Sequence, residues 1–202
     1  MPKIINHETR KRQILEQSLL IFAKKGFQNT NLSYIADVCR ISRPTLYQYF
    51  KDKEQIFQFA IKHITAELFK EYKTISRDES LNYEGKIKAI CRDVIGKCYK
   101  NKPFIVSLVD FLFQMKRKGN DYSDEIKRRT LRLHYLFTVL INQGKRVGEF
   151  KDIPVAETVD QIFAMIESFA FQMVLLDSFV PENSIGLLDL FVDSFTLGKN
   201  ES

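Results

Sequence analysis

Helical periodicity runs through almost the whole chain, and no stretch shows the apolar–polar alternation of a half-buried strand. That pattern confines the fold to an all-α architecture, and the stop signals divide it into nine helices. Leu15, Leu19, Phe22 and Ala23 fall at i, i+4, i+7 and i+8 on a first helix, and Gly26 follows Lys24 and Lys25 as its stop. Leu32, Ile35, Ala36 and Cys39 mark a short second helix capped by Thr30 or Asn31. Ser42 caps a third, whose first turn tolerates Pro44. Asp52 and Gln55 form a capping box for a fourth helix running to about Thr74. A fifth spans roughly 83–99, a sixth opens at Asn101 and Pro103 and ends at Gly119, and a seventh runs from Ser123, Asp124 and Glu125 to Lys145, Arg146 and Gly148. Asp152 and Pro154 open an eighth, through about Ser178. The stretch "VPENS" (180–184) reads as a break, and a ninth helix covers roughly 185–197 before a short polar tail.

The composition sorts the function classes. A 45% hydrophobic content over 202 residues is ample for a core, and 28% charged residues argue against disorder. The net charge of +6 is uneven: residues 1–55 hold ten Lys/Arg against five acids, while the remainder is nearly balanced. Either a polyanion partner or a solvated basic face accounts for that asymmetry. Three dispersed cysteines, Cys39, Cys91 and Cys98, fit neither a disulfide framework nor a zinc site. The run Ile162–Leu176 is too short and too polar to span a bilayer, and Glu16 and Gln17 interrupt any signal-like stretch, so a cytoplasmic location is expected, with no membrane partner. His7, His63 and His134 are scattered, and no glycine-rich phosphate loop or nucleophile elbow is present, so no enzyme activity, metal or cofactor is expected.

The stretch "ISRPTLYQYFKDKEQIF" (41–57) concentrates the function. Leu46 and Phe50 lie at i and i+4 and point to a core, while Arg43, Thr45, Gln48 and Tyr49 line the other sides. With "VCRIS" (38–42) joining it to the second helix, this is a helix-turn-helix plan. The major groove, about 12 Å wide, admits one such helix. Arg10, Lys11 and Arg12 are either a solvated arm or phosphate contacts. A basic amphipathic first helix meeting a membrane or an acidic protein is a rival reading, although its apolar face is needed to pack the second and third helices.

The segment "RKRQILEQSLLIFAKKGFQNTNLSYIADVCRISRPTLYQYFKDKEQIF" (10–57) resembles the N-terminal domain of TetR/AcrR-type transcriptional repressors, through Ile14, Leu15, Ala23, Gly26, Phe27, Thr30, Ile35, Ala36, Ser42, Thr45, Leu46, Tyr47, Tyr49, Phe50, Lys53 and Glu54. The resemblance implies a nine-helix fold with a DNA-binding domain over 1–52 and a helical effector-binding and dimerisation domain over 53–202. It implies a ligand-responsive homodimer that represses from a palindromic operator in double-stranded DNA and is released by a small apolar or aromatic effector. Thr30, Asn31 and Ser33 would meet the backbone or a base edge. Arg43, Pro44, Thr45 and Gln48 would face the groove, Tyr47 and Tyr49 would contact phosphate or a thymine methyl, and Lys53 would hold phosphate. Where the family usually has a turn glycine, this chain has Arg40; a reshaped turn is the expectation, and a strained Arg40 holding phosphate the alternative.

For the remainder, the resemblance implies an effector pocket, with Phe69, Tyr72, Phe104, Phe111, Met115, His134, Phe137, Glu167 and Phe171 as candidate lining, and a cationic group on the effector if Glu167 is among them. It implies pairing of two copies through the eighth and ninth helices. The eighth is apolar nearly all round, and Phe163, Ile166, Phe169, Met173, Leu188, Phe191 and Phe195 are the candidates for that interface.

Overall fold

The computed structural model describes residues 7–119 and 123–198, with side chains for all of these except 123–129. Among them are nine α-helices: α1 His7–Lys25, α2 Leu32–Val38, α3 Arg43–Tyr47, α4 Lys53–Ser76, α5 Tyr83–Lys100, α6 Lys102–Arg117, α7 Ser123–Arg146, α8 Val155–Leu175 and α9 Pro181–Phe195. The only β-type pairing among the described residues is one isolated bridge between Phe150 and Thr196. Lys3 and the polar tail lie outside the described residues.

Local signals set most boundaries. Asn31 caps α2, its side chain accepting from the Tyr34 N–H at 2.9 Å. Asp52 accepts from the Gln55 N–H at 2.7 Å, and the Gln55 side chain reaches back to the Lys51 N–H at 2.7 Å. Gly26 takes a left-handed φ of 78° after α1 and donates to the Phe22 carbonyl at 2.8 Å. At α9 the expectation fails. Pro181 starts the helix rather than breaking it, because its fixed φ and missing N–H suit a first helical position. At the other end of the connection, α8 stops at Leu175, short of Ser178.

The chain divides into two compact units. The first takes the chain up to Glu67 together with α6; the second takes Leu68–Lys102 and everything from Ser123 onward. The first unit thus extends past residue 52 to Glu67 and takes in α6. The reason is a shared aromatic core: Phe57 on α4 meets Phe22 at 4.8 Å, Phe27 at 5.1 Å, Phe104 at 5.7 Å and Phe111 at 4.8 Å. Phe104, Phe111 and Met115 of α6 thus belong with Ile14, Ile35, Leu46 and Phe50, behind the basic segment.

In the second unit α5 packs against α7, α8 and α9 around Ile87, Ile90, Phe137, Ile141, Ile162 and Val192. The α7–α8 connection ties this unit together. Both Glu149 carboxylate oxygens accept N–H groups at the head of α5, from Tyr83 at 3.0 Å and Glu84 at 2.6 Å. The Glu149 carbonyl accepts from Leu197 at 2.8 Å, and Lys151 N–H donates to Phe195 at 2.9 Å. Gly144 lies under this loop, where a Cβ would sit 2.2 Å from the buried Phe150 ring.

Candidate nucleic-acid interface

The α2–α3 pair is built by backbone closure on one side and side-chain burial on the other. After α2, the Arg40 N–H donates to Asp37 at 3.1 Å and the Ile41 N–H reaches back to Ala36 at 3.0 Å. These bonds make a Schellman turn with Arg40 at the left-handed position, φ 53°, the only positive-φ non-glycine among the described residues. Ser42 then caps α3, its hydroxyl accepting from the Thr45 N–H at 3.2 Å and lying 2.8 Å from the Thr45 hydroxyl. Leu46 and Phe50 are buried at 0% and 1% exposure, so α3 is pinned from behind.

What remains outside is the predicted reading face. Arg43, Pro44 and Gln48 are exposed, and Tyr47 presents 57% of its surface. Thr45 and Tyr49 are half-buried, and Tyr49 stacks on His7 with ring centroids 4.5 Å apart. Ser33 is half-buried and Asn31 exposed, though the Asn31 oxygen is used in capping. Two candidates drop out. Thr30 is 1% exposed and spends its hydroxyl on the Gly26 carbonyl at 2.8 Å, so it packs the α1–α2 turn and cannot reach DNA. Lys53 directs its ammonium inward, to the carbonyls of Phe27 at 2.9 Å, Gln28 at 3.1 Å and Thr30 at 3.0 Å. Its three protons are all engaged, which contradicts a phosphate contact.

Residues 14–59 match the family model for bacterial regulatory proteins of the tetR family. Residues 14–59 thus resemble the DNA-binding head of tetR-type regulators. It is 27% identical over 147 residues to the uncharacterized HTH-type transcriptional regulator YerO of Bacillus subtilis, covering 70% of this chain and 49% of that protein. The chain thus spans about half the length of that curated relative. Its fold matches a TetR transcription regulator from Haloarcula marismortui with a TM-score of 0.84 at 15% identity, covering 94% of this chain and 100% of that one. It also matches the transcriptional regulator FadR from Bacillus subtilis, in complex with stearoyl-CoA, with a TM-score of 0.75 at 18% identity, covering 91% and 98%. These relatives are transcriptional regulators, not enzymes.

Arg40 keeps a left-handed turn, with φ 53°, so the expectation of a reshaped turn is wrong. Two backbone bonds over-determine the conformation. Arg40→Gly is accordingly expected to stabilise the protein by roughly 0.5–1 kcal/mol, seen as a rise of a few degrees in Tm. An unchanged or lower Tm would show that the Arg40 side chain compensates for its strain.

The candidate effector residues do not converge. Phe104, Phe111 and Met115 are buried in the first unit's core. Glu167 and Phe171 are exposed on α8, and Tyr72 and Phe137 are core residues of the second unit. Only Phe69 and His134 line the open cleft of about 540 Å³ that the second unit contains, with Leu131, Arg132, Tyr135 and Thr138. Leu131, Tyr135 and Thr138 stand at i, i+4 and i+7 on α7, a spacing that could have flagged them. The interface candidates need a similar correction. Phe163, Ile166, Phe169, Met173, Leu188 and Phe195 are buried within the protomer, and Phe191 packs half-buried against them. The apolar side chains that α8 and α9 leave exposed are Phe171 and Leu175, and Leu187 and Leu190.

Among the described residues, no three His, Cys, Asp or Glu side chains are grouped to hold a metal ion, and no helix is long and apolar enough to cross a membrane. Burial pushes the Cys91 thiol up to about 12 and the Cys98 thiol up to about 11, away from thiolate reactivity.

Proposed function

We propose that the protein is a DNA-binding transcriptional repressor, working as a homodimer on a palindromic operator and released by a small effector. The observation that carries this reading is α3: a capped helix held by Leu46 and Phe50, with Arg43, Pro44, Tyr47 and Gln48 turned to solvent in the basic part of the chain. Arg43 and Gln48 have the donor geometry for guanine and adenine edges, and Tyr47 suits phosphate. A dimer would place two such helices one turn of duplex apart, about 34–36 Å. The exposed stripes Phe171–Leu175 and Leu187–Leu190 support pairing through α8 and α9.

The cleft supports the effector role, since its volume falls within the usual range for small-molecule sites, about 300–1,000 Å³. Its chemistry points to an apolar body with an anionic group. Phe69, Leu131 and Tyr135 supply apolar surface, and the Arg132 guanidinium lies 5.8 Å from the Phe69 ring centroid. Glu167 is not among the residues that line this cleft, so nothing in it favours a cationic group on the effector. The stearoyl-CoA complex of FadR is an acyl chain with an anionic head, of the same chemical kind.

Titration against duplex DNA at several salt concentrations tests the function. A steep negative slope of log K on log salt is expected, with a tight component confined to selected sequences. Gln48→Ala should change which base is preferred, by about 1–3 kcal/mol at one position, while Tyr47→Ala should weaken all sequences alike. Binding without sequence preference, or no binding, removes the reading.

A further inference from the structure

Lys53 is the first residue of α4, yet its ammonium closes on a turn 23 to 26 positions earlier in the chain. The Phe27, Gln28 and Thr30 carbonyls it meets lie between α1 and α2, outside any helix. Three protons meet three acceptors at hydrogen-bond distance, and the same ammonium sits 4.6 Å from the Phe27 ring centroid. The chain between Thr30 and Lys53 consists of the α2–α3 pair and its connections, so this contact closes a ring around the reading head. Its neighbour Glu54 accepts from Lys118, just past the end of α6, at 3.0 Å. The head of α4 is therefore tied to both the α1–α2 turn and the end of α6 within the first unit. Burial pulls the Lys53 pKa below its ordinary value, with Glu54 opposing and the Lys118 charge adding to the effect, as expected for an ammonium withdrawn from water.

We propose that Lys53 is a positioning residue for sequence reading: by locking the α1–α2 turn to the head of α4 it fixes the pose of α2 and α3, without holding DNA phosphate itself. Arg43 and Tyr47 sit on a helix of only five residues with Gln48 as its C-cap, too short to keep its own orientation, so its aim depends on what frames it. Loosening the frame leaves the charge and shape of the reading face in place but blurs its register on the base edges. Selectivity falls, while attraction to the duplex persists.

This inference rests on the DNA-binding reading, and the salt dependence separates the two. The probes are the tightest duplex recovered by selection from a random-sequence pool and a scrambled duplex of the same composition. For Lys53→Met the ratio of the two affinities is expected to fall roughly tenfold, the size of one mismatched base pair, with both salt slopes unchanged. Lys53→Gln keeps two donors without the charge and should recover part of the ratio. A phosphate ligand behaves in the opposite way. Either substitution would then reduce the slope by about 0.9 per lost contact and weaken both duplexes equally, and that result overturns the proposal. If circular dichroism shows that Lys53→Met does not fold, the ratio and slope for Lys53→Gln decide alone. Wild-type protein that selects no duplex at all sinks the DNA-binding reading, and this inference with it.

Discussion

Phe57→Ala is expected to cost about 4 kcal/mol, because it empties the centre of the first unit's core. Phe57 is fully buried and touches four other phenylalanine rings, from α1, the turn after α1, and α6. Two of the contacts, with Phe22 and Phe27, are edge-on arrangements worth something beyond their buried area. Those rings cannot simply collapse into the space. Phe22 is anchored by its carbonyl, which accepts from Ser107 at 2.6 Å, and Phe27 by its carbonyl, which accepts from Lys53. A cavity of side-chain size therefore remains, which puts the cost near the upper part of the usual range. The chain contains no Trp, so far-UV circular dichroism in urea is the suitable measurement, with an expected fall in midpoint on the order of 1–2 M. Phe57→Leu should recover about half of the loss. A cost below about 1 kcal/mol for the alanine variant would mean that the aromatic cluster is not what holds the unit together.

The position of Phe57 also shows where the sequence stopped being informative. Helix existence and most caps were legible because they depend on neighbours within four residues: Asn31 on Tyr34, Ser42 on Thr45, Asp52 on Gln55. The two-faced character of the α3 segment was legible for the same reason, since Leu46 on α3 and Phe50 just beyond it are both buried, four residues apart. What joins α6 to the first unit is contact between residues about fifty positions apart, such as Phe57 with Phe104 and Phe111, and no local pattern carries it. Lys53 was misjudged on the same ground. A lysine at the head of a helix beside a basic segment reads as a phosphate ligand until its partners at Phe27, Gln28 and Thr30 are seen. On α8 the difficulty was different. A helix apolar on nearly every side has no period to reveal which residues point inward, so Phe163 and Phe169 could not be told from Phe171 and Leu175.

That distinction sets the second large effect. If the proposed pairing through α8 and α9 holds, Phe171→Glu combined with Leu190→Glu is expected to convert a dimer to protomers and to weaken binding to a palindromic duplex by about 10²–10⁴-fold. Both side chains are exposed in the protomer, at 47% and 66%, so the substitutions should leave its fold intact, with stability changed by only about 0.5 kcal/mol at each site. In a two-fold interface each substitution occurs twice, so four new carboxylates would face apolar surface and one another. Exposed Glu167 already lies one turn before Phe171 on α8 and adds to the repulsion. Affinity for a single half-site should be unchanged, because α3 is untouched. The large loss belongs only to the full palindrome, where the second protomer normally binds at the effective concentration set by the first. Light scattering after size exclusion reads the assembly, and titration of half-site and full-site duplexes reads the coupling. Phe163→Glu is the contrasting variant, since Phe163 is buried against His134 and Phe137, and the protomer itself should unfold. A double variant that remained dimeric would move the interface away from the exposed faces of α8 and α9. A monomeric double variant that kept full affinity for the palindrome would show that pairing is not what holds the two reading helices on DNA.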